Sequence, residues 1–153
     1  MIDIKKVLIV FLSFFLFFKA YSEEIEVINL ALAKSVKNRI PDTIGDVIPN
    51  NIGRVYLWTK IKANNPPTYI YHVWYYKNRE VARIRLYIKY PVFRTWSFKT
   101  VPPTWTGSWK VVVEDVYGNR LAEKSFKVVN VEEEKNGDKK TLSRRAKDKI
   151  QNR

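Results

Sequence analysis

Three short runs hold the side chains best equipped for chemistry: His72-Val73-Trp74-Tyr75-Tyr76, Arg94-Thr95-Trp96-Ser97-Phe98-Lys99 and Trp105-Thr106-Gly107-Ser108-Trp109-Lys110-Val111-Val112-Val113. Four of the five tryptophans and the single histidine fall in them. Rings beside cationic and hydroxyl groups suit the capture of a sugar ring, an acidic peptide or an anionic glycan. The rings supply apolar area and cation–π contacts, and Arg and Ser supply directional hydrogen bonds. The same residues also suit a packed interior, with Arg94 stacked on Trp96 and His72 as a hydrogen-bonded core group.

Alternation along a strand puts His72, Trp74 and Tyr76 on one face. It puts Arg94 and Trp96 on one face of another strand, with Lys99 near that strand's end. The candidate ligand-binding residues are therefore His72, Tyr76, Arg94, Trp96, Ser97 and Lys99. The candidate core residues are Trp74, Ile84, Leu86, Trp109, Val111, Val113 and Phe126. A strand tryptophan is a routine core residue in two-sheet β domains, which favours the interior for Trp74 and Trp109.

Other chemistries find little support. Serine nucleophiles need a base, and His72 is the one histidine available. No Gly-x-Ser-x-Gly elbow is present. Zinc usually takes three or four Cys, His or carboxylate ligands, and the chain has no cysteine. Five glycines form no phosphate-cradling loop. Paired carboxylates would have to come from Glu80, Glu114, Asp115 and Glu123. Glu114 and Asp115 are adjacent, so on a continuing strand they point to opposite faces. The expectation is a non-enzyme without metal or cofactor.

The start of the chain bears on the compartment. Lys5 and Lys6 precede an apolar run at 7–18, interrupted by Ser13. At ~1.5 Å per residue such a run reaches about 18 Å as a helix, short of a ~30 Å bilayer core. Ala20-Tyr21-Ser22 then fits a small-x-small cleavage site. Residues 1–22 read as a signal peptide, and the mature chain begins at Glu23. The alternative is an uncleaved membrane anchor. Export implies a periplasmic or extracellular protein. The absence of cysteine excludes a disulfide framework and a lipidated cysteine.

The chain has 28 Lys+Arg and 15 Asp+Glu. Residues 1–22 hold three lysines and one aspartate, so from Glu23 onward 25 cations face 14 acids, a formal charge of +11. Basic proteins often bind nucleic acid, but an exported one meets anionic polymers, lipid headgroups and acidic proteins instead. The plainer reading is that the charge confers solubility.

The elements that must position these residues read as strands at 25–33, 55–61, 68–76, 81–89, 93–101, 109–114 and 121–129. The fourth alternates cleanly, with Ala82, Ile84, Leu86 and Ile88 on one side and Val81, Arg83, Arg85 and Tyr87 on the other. That is a half-buried antiparallel strand. Lys77-Asn78-Arg79 and residues 115–119 read as turns. The stretch with Pro41, Gly45, Pro49, Asn50, Asn51 and Gly53 reads as turn-rich. About seven short strands in residues 23–131 imply a single all-β domain, an antiparallel β-sandwich of immunoglobulin-like type. Residues 132–153 carry no aromatics. They read as a charged tail, disordered or weakly helical around Leu142, Ala146 and Ile150. Its basic end offers peripheral contact with an anionic surface.

The ordered set Val36-x-Asn38-Arg39-x-Pro41, His72-x-Trp74-Tyr75-Tyr76, Arg94-x-Trp96-Ser97-x-Lys99, Gly107-x-Trp109-x-Val111-x-Val113-x-Asp115-x-x-Gly118 and 121–126 resembles the bacterial family called domain of unknown function 2914. The resemblance covers roughly residues 28–129. It implies a small extracytoplasmic β-sandwich and no known activity or catalytic residues. Asn78 stands where a glycine-like turn residue is expected, and asparagine tolerates the same positive φ.

These readings converge on an exported, non-catalytic binding module of the bacterial envelope. Its partner is expected to be an anionic glycan or an acidic protein surface, not nucleic acid. The alternatives are a structural or adaptor domain that pairs through a sheet edge, and a hydrolase. The sequence sets no oligomeric state.

Overall fold

The computed structural model describes residues 24–131. The segments read as a signal peptide, 1–22, and as a charged tail, 132–153, lie outside the described residues. Nine strands follow one another: β1 (Ile25–Lys37), β2 (Ile40–Thr43), β3 (Val47–Pro49), β4 (Arg54–Ala63), β5 (Thr68–Tyr76), β6 (Arg79–Ile88), β7 (Val92–Thr100), β8 (Gly107–Glu114) and β9 (Arg120–Val129). They form two sheets, ordered β2-β1-β4-β7 and β3-β9-β8-β5-β6. Every neighbouring pair is antiparallel except β3 and β9, which run parallel.

Nine strands correct the expectation of about seven, and the parallel pair makes one sheet mixed. The two additional strands, β2 and β3, come from the stretch read as turn-rich. Each contains a proline, Pro41 or Pro49, and each lies at a sheet edge. Proline cannot donate to a ladder, so edge positions are where a strand tolerates it. β1 also runs on to Lys37, past the expected end at Ala33. It turns into β2 through Asn38 and Arg39, with φ of 50° and 63°. β5 turns into β6 through Lys77 and Asn78, with φ of 46° and 64°. Two successive positive φ values are what a two-residue hairpin turn requires.

The sheets share one core. In β4, Val55, Leu57, Thr59, Ile61 and Ala63 are buried, while Tyr56, Lys60 and Lys62 alternate with them on the outer side. In β8 the inward set is Trp109, Val111 and Val113. Ile70 and Trp74 of β5 and Phe126 and Val128 of β9 complete the facing side. An aromatic chain runs through this interior. Trp74 meets Phe126 edge-on at 6.4 Å, Phe126 stacks on Trp109 at 5.9 Å, and Trp109 lies 5.0 Å from Tyr76. Burying aromatic area on this scale is the main stabilising contribution of such a core.

A candidate binding face on the four-stranded sheet

The three motif runs divide between the interior and two surfaces. His72 and Ser97 are interior, with 0 % and 5 % of their surface exposed. His72 Nδ1 and Ser97 Oγ are 2.9 Å apart. Trp74 Nε1 donates to the same Ser97 oxygen at 3.1 Å. On the other side of the ring, His72 Nε2 lies 3.4 Å from Thr59 Oγ1. The Thr59 hydroxyl donates to the Thr95 carbonyl at 3.2 Å.

One arrangement of protons gives every donor in this network its own acceptor. An indole nitrogen only donates, so Ser97 accepts from Trp74 and turns its own hydrogen toward His72 Nδ1. Thr59 spends its hydrogen on Thr95 and accepts from His72 Nε2. In this arrangement His72 is the neutral Nε2–H tautomer. Desolvation by burial agrees, lowering the imidazole pKa to about 3. The relay joins β5 of one sheet to β4 and β7 of the other. Among the described residues no buried side-chain polar atom lacks a partner.

His72 and Ser97 were candidate ligand contacts, and their burial corrects that assignment: an external ligand does not reach them. A histidine and a serine in contact also resemble a nucleophile and its base. With both enclosed, no substrate carbonyl reaches the serine oxygen.

Tyr76 is half-buried at one end of the aromatic chain. It stacks on Trp105 at 4.7 Å, and its hydroxyl donates to the Thr106 carbonyl at 2.9 Å. Lys77 Nζ lies 5.1 Å from the centroid of the Tyr76 ring. Tyr76 thus lies apart from Arg94 and Trp96. Of the residues assigned to the core, Trp74, Trp109, Val111, Val113 and Phe126 are buried, and Ile84 and Leu86 pack against them half-buried.

Arg94 and Trp96 face outward from β7, together with Phe98. They lie opposite Lys60, Trp58 and Tyr56 of β4, respectively. Lys99 has the other parity and shares the side of Ser97, so it does not join them. Arg54 approaches the Phe98 ring to 4.8 Å, and Phe98 lies 5.4 Å from Tyr56. The tip of the β1–β2 hairpin also reaches this region. Trp58 Nε1 donates to the Arg39 carbonyl at 3.0 Å, and the Arg39 guanidinium lies 5.9 Å from the Phe93 ring. A pocket of about 380 Å³ separates hairpin from sheet, lined by Asn38, Arg39, Ile40, Pro41, Trp58 and Arg94.

Ion pairs occur on both sheets. On the five-stranded sheet Arg83 binds Glu80 at 3.1 Å and Glu114 at 2.7 Å. These hydrogen bonds, Glu80 first, hold its guanidinium pKa above the usual value. Arg120 binds Glu123 at 2.8 Å, and Lys124 binds Asp46 at 2.8 Å. On the four-stranded sheet Lys62 meets Glu26 at 3.7 Å and Lys34 meets Asp42 at 3.3 Å. Arg39, Arg54, Lys60 and Arg94 make no ion pair among the described residues. A wider depression of about 500 Å³ over β8 and β9 mixes Lys110 and Lys127 with Asp46 and Glu123. Its lining includes two carboxylates, whereas the pocket beside Arg94 has none.

The motif runs omit Arg39, Trp58 and Lys60. Their signal was present in the alternation of Tyr56, Trp58 and Lys60 against Val55, Leu57, Thr59 and Ile61. Trp58 is also the fifth tryptophan, outside all three runs.

Each candidate carboxylate has a structural partner. Glu80, Glu114 and Glu123 form the ion pairs above. Asp115 is buried and accepts from the backbone N–H groups of Tyr117 and Asn119, both at 2.8 Å, and from the Asn119 amide. It closes the β8–β9 turn as an Asx motif does. Among the described residues no three His, Asp or Glu side chains group as metal ligands.

Comparison with curated proteins gives no match. A family model described as protein of unknown function (DUF2914) matches residues 67–128, which hold β5 to β9. The match is narrower than the resemblance expected over 28–129. It includes Arg94, Trp96 and the His72–Ser97 pair, and leaves out β1 to β4, with Arg39, Trp58 and Lys60. Residues 67–128 are thus similar to the family of proteins of unknown function DUF2914.

Proposed function

We propose that this protein is an exported, non-catalytic binding module of the cell envelope that recognises an anionic glycan or an acidic protein surface. Its binding surface is the outer face of the four-stranded sheet. One observation carries this reading: Arg39, Arg54, Lys60 and Arg94 lie around Trp96 and Phe98, beside the buried Trp58, without a carboxylate partner among the described residues. Uncompensated cations beside rings attract anions that also present an apolar side. Export rests on the 7–18 apolar run and Ala20-Tyr21-Ser22, and the two-sheet, one-core arrangement supports an immunoglobulin-like sandwich. The basic tail adds non-specific attraction to anionic envelope surfaces.

The test is binding of the protein to immobilised acidic polysaccharide and to acidic protein, at low and at high salt. Replacing Lys60 and Arg94 together by glutamate should abolish capture while the melting temperature holds. Undiminished binding by that double variant sinks the proposal.

A structural adaptor role is the second reading. β6 and β7 are sheet edges of 10 and 9 residues, long enough to accept another strand.

A further inference from the structure

We infer that the pocket under the β1–β2 hairpin is a subsite for one carboxylated sugar residue of an anionic glycan. The inference rests on the binding face proposed above and names the chemistry of its ligand. Two arginines, Arg39 and Arg94, line one pocket of about 380 Å³, with no carboxylate among the lining residues. That volume lies within the ~300–1,000 Å³ range of small-molecule sites. A guanidinium is a planar fork of donors and matches a planar carboxylate through two parallel hydrogen bonds. Lysines would supply the same charge without that geometry.

The rest of the lining suits a sugar better than a peptide side chain. Ile40, Pro41 and Trp58 give apolar walls, and Asn38 offers both amide donors and an acceptor. A pyranose ring presents C–H faces to apolar walls and hydroxyls to an amide. An aspartate or glutamate side chain has no hydroxyls for Asn38 to serve.

The pocket is also preorganised. Trp58 Nε1 ties down the carbonyl of Arg39 at 3.0 Å, which holds the hairpin tip against the sheet. Arg39 has a φ of 63°, a conformation that favours glycine or asparagine. An arginine there adds a guanidinium to the pocket at the expense of some backbone strain. A tip already fixed before binding loses little further freedom when the ligand arrives.

The experiment titrates the full chain with oligogalacturonate, with a neutral galactose oligomer of equal length and with polyglutamate. Arg39→Lys and Arg94→Lys keep the charge and remove the fork. The inference expects each to weaken oligogalacturonate binding at least fivefold. It expects Arg85→Lys, the same exchange at an exposed position of the other sheet, to alter binding less than twofold. The neutral oligomer should bind at least tenfold more weakly than oligogalacturonate. Unchanged binding by both arginine-to-lysine variants overturns the subsite and leaves the charged face standing. Equal or tighter capture of polyglutamate, with the same dependence on Arg39 and Arg94, overturns the sugar assignment in favour of an acidic protein. No binding of any polyanion by the unaltered protein overturns the face and the subsite together.

Discussion

His72 and Ser97 stand 25 positions apart in the chain and on different sheets, yet their side chains meet at 2.9 Å inside the core. The contact makes Ser97 the junction of two bonds, because it also accepts from Trp74 at 3.1 Å. Polar groups in so buried a place add specificity to the sheet pairing only while all of them are satisfied.

Ser97→Ala should therefore cost more than a surface serine would. It leaves the Trp74 N–H and His72 Nδ1 without their partner, and each buried orphan costs about 1–3 kcal/mol. Denaturant unfolding should show a lower midpoint with an unchanged slope. A midpoint equal to that of the unaltered protein would remove the relay from the account of stability.

The same burial makes stability depend on pH. The folded imidazole has its pKa lowered to about 3, against 6.5 when unfolded. Between those values the unfolded chain binds the extra proton, so stability rises with pH there. The contribution is complete above pH 6.5 and is lost as pH falls toward 3. At ~1.4 kcal/mol per unit it is on the order of 5 kcal/mol. His72→Leu should be less stable at neutral pH but flatter between pH 7 and about pH 5.5, above the range where most carboxylates titrate. Parallel stability–pH curves for the two proteins would contradict the neutral, buried histidine.

Trp109→Ala should be the most damaging single truncation in the aromatic chain. Trp109 is 2 % exposed, stacks on Phe126 at 5.9 Å and donates to the Trp105 carbonyl at 3.0 Å. Truncating a buried aromatic typically costs about 3–5 kcal/mol. Trp105→Ala, at a half-buried position, should cost less. Thermal melts of both variants settle the order, and a larger loss for Trp105 would reverse it.

Local alternation explains what the sequence made legible. Ala82, Ile84, Leu86 and Ile88 turn inward and Arg83, Arg85 and Tyr87 outward, because period-two patterning needs only neighbouring residues. Parity alone likewise separates Lys99 from Arg94, Trp96 and Phe98. β2 and β3 were illegible because their prolines mimic turns, and because edge pairing depends on residues far along the chain. Nor does alternation say whether the side bearing His72 looks inward. That depends on Ser97 and Thr59 arriving from the opposite sheet. Arg39 reaches the candidate face through the fold of a hairpin, which spacing does not reveal.

Processing gives a check independent of the sheets. The proposed export predicts that mass spectrometry of the secreted or periplasmic protein will find Glu23 at the amino terminus. Met1 retained in a membrane fraction would make the 7–18 segment an anchor.

Charge pairing predicts that the two sheets respond differently to the loss of one arginine. Arg94 has no ionic partner among the described residues, and on an exposed strand position its replacement should shift stability by no more than about 0.5 kcal/mol. Arg83 is held by Glu80 and Glu114, so its charge is already compensated within the protein. Arg83→Ala should thus leave polyanion capture nearly unchanged, since the charge it removes and the two carboxylates it frees lie on the sheet away from the candidate face. Arg94→Ala should weaken capture and flatten its salt dependence, because one fewer cation releases counterions and screening has less to act on. Paired binding curves for the two variants across a salt series give the answer. Equal losses for Arg83→Ala and Arg94→Ala would mean that net charge alone attracts the ligand. A greater loss for Arg83→Ala would move the site to the five-stranded sheet, where Tyr71 lies under the Arg83 guanidinium at 5.8 Å.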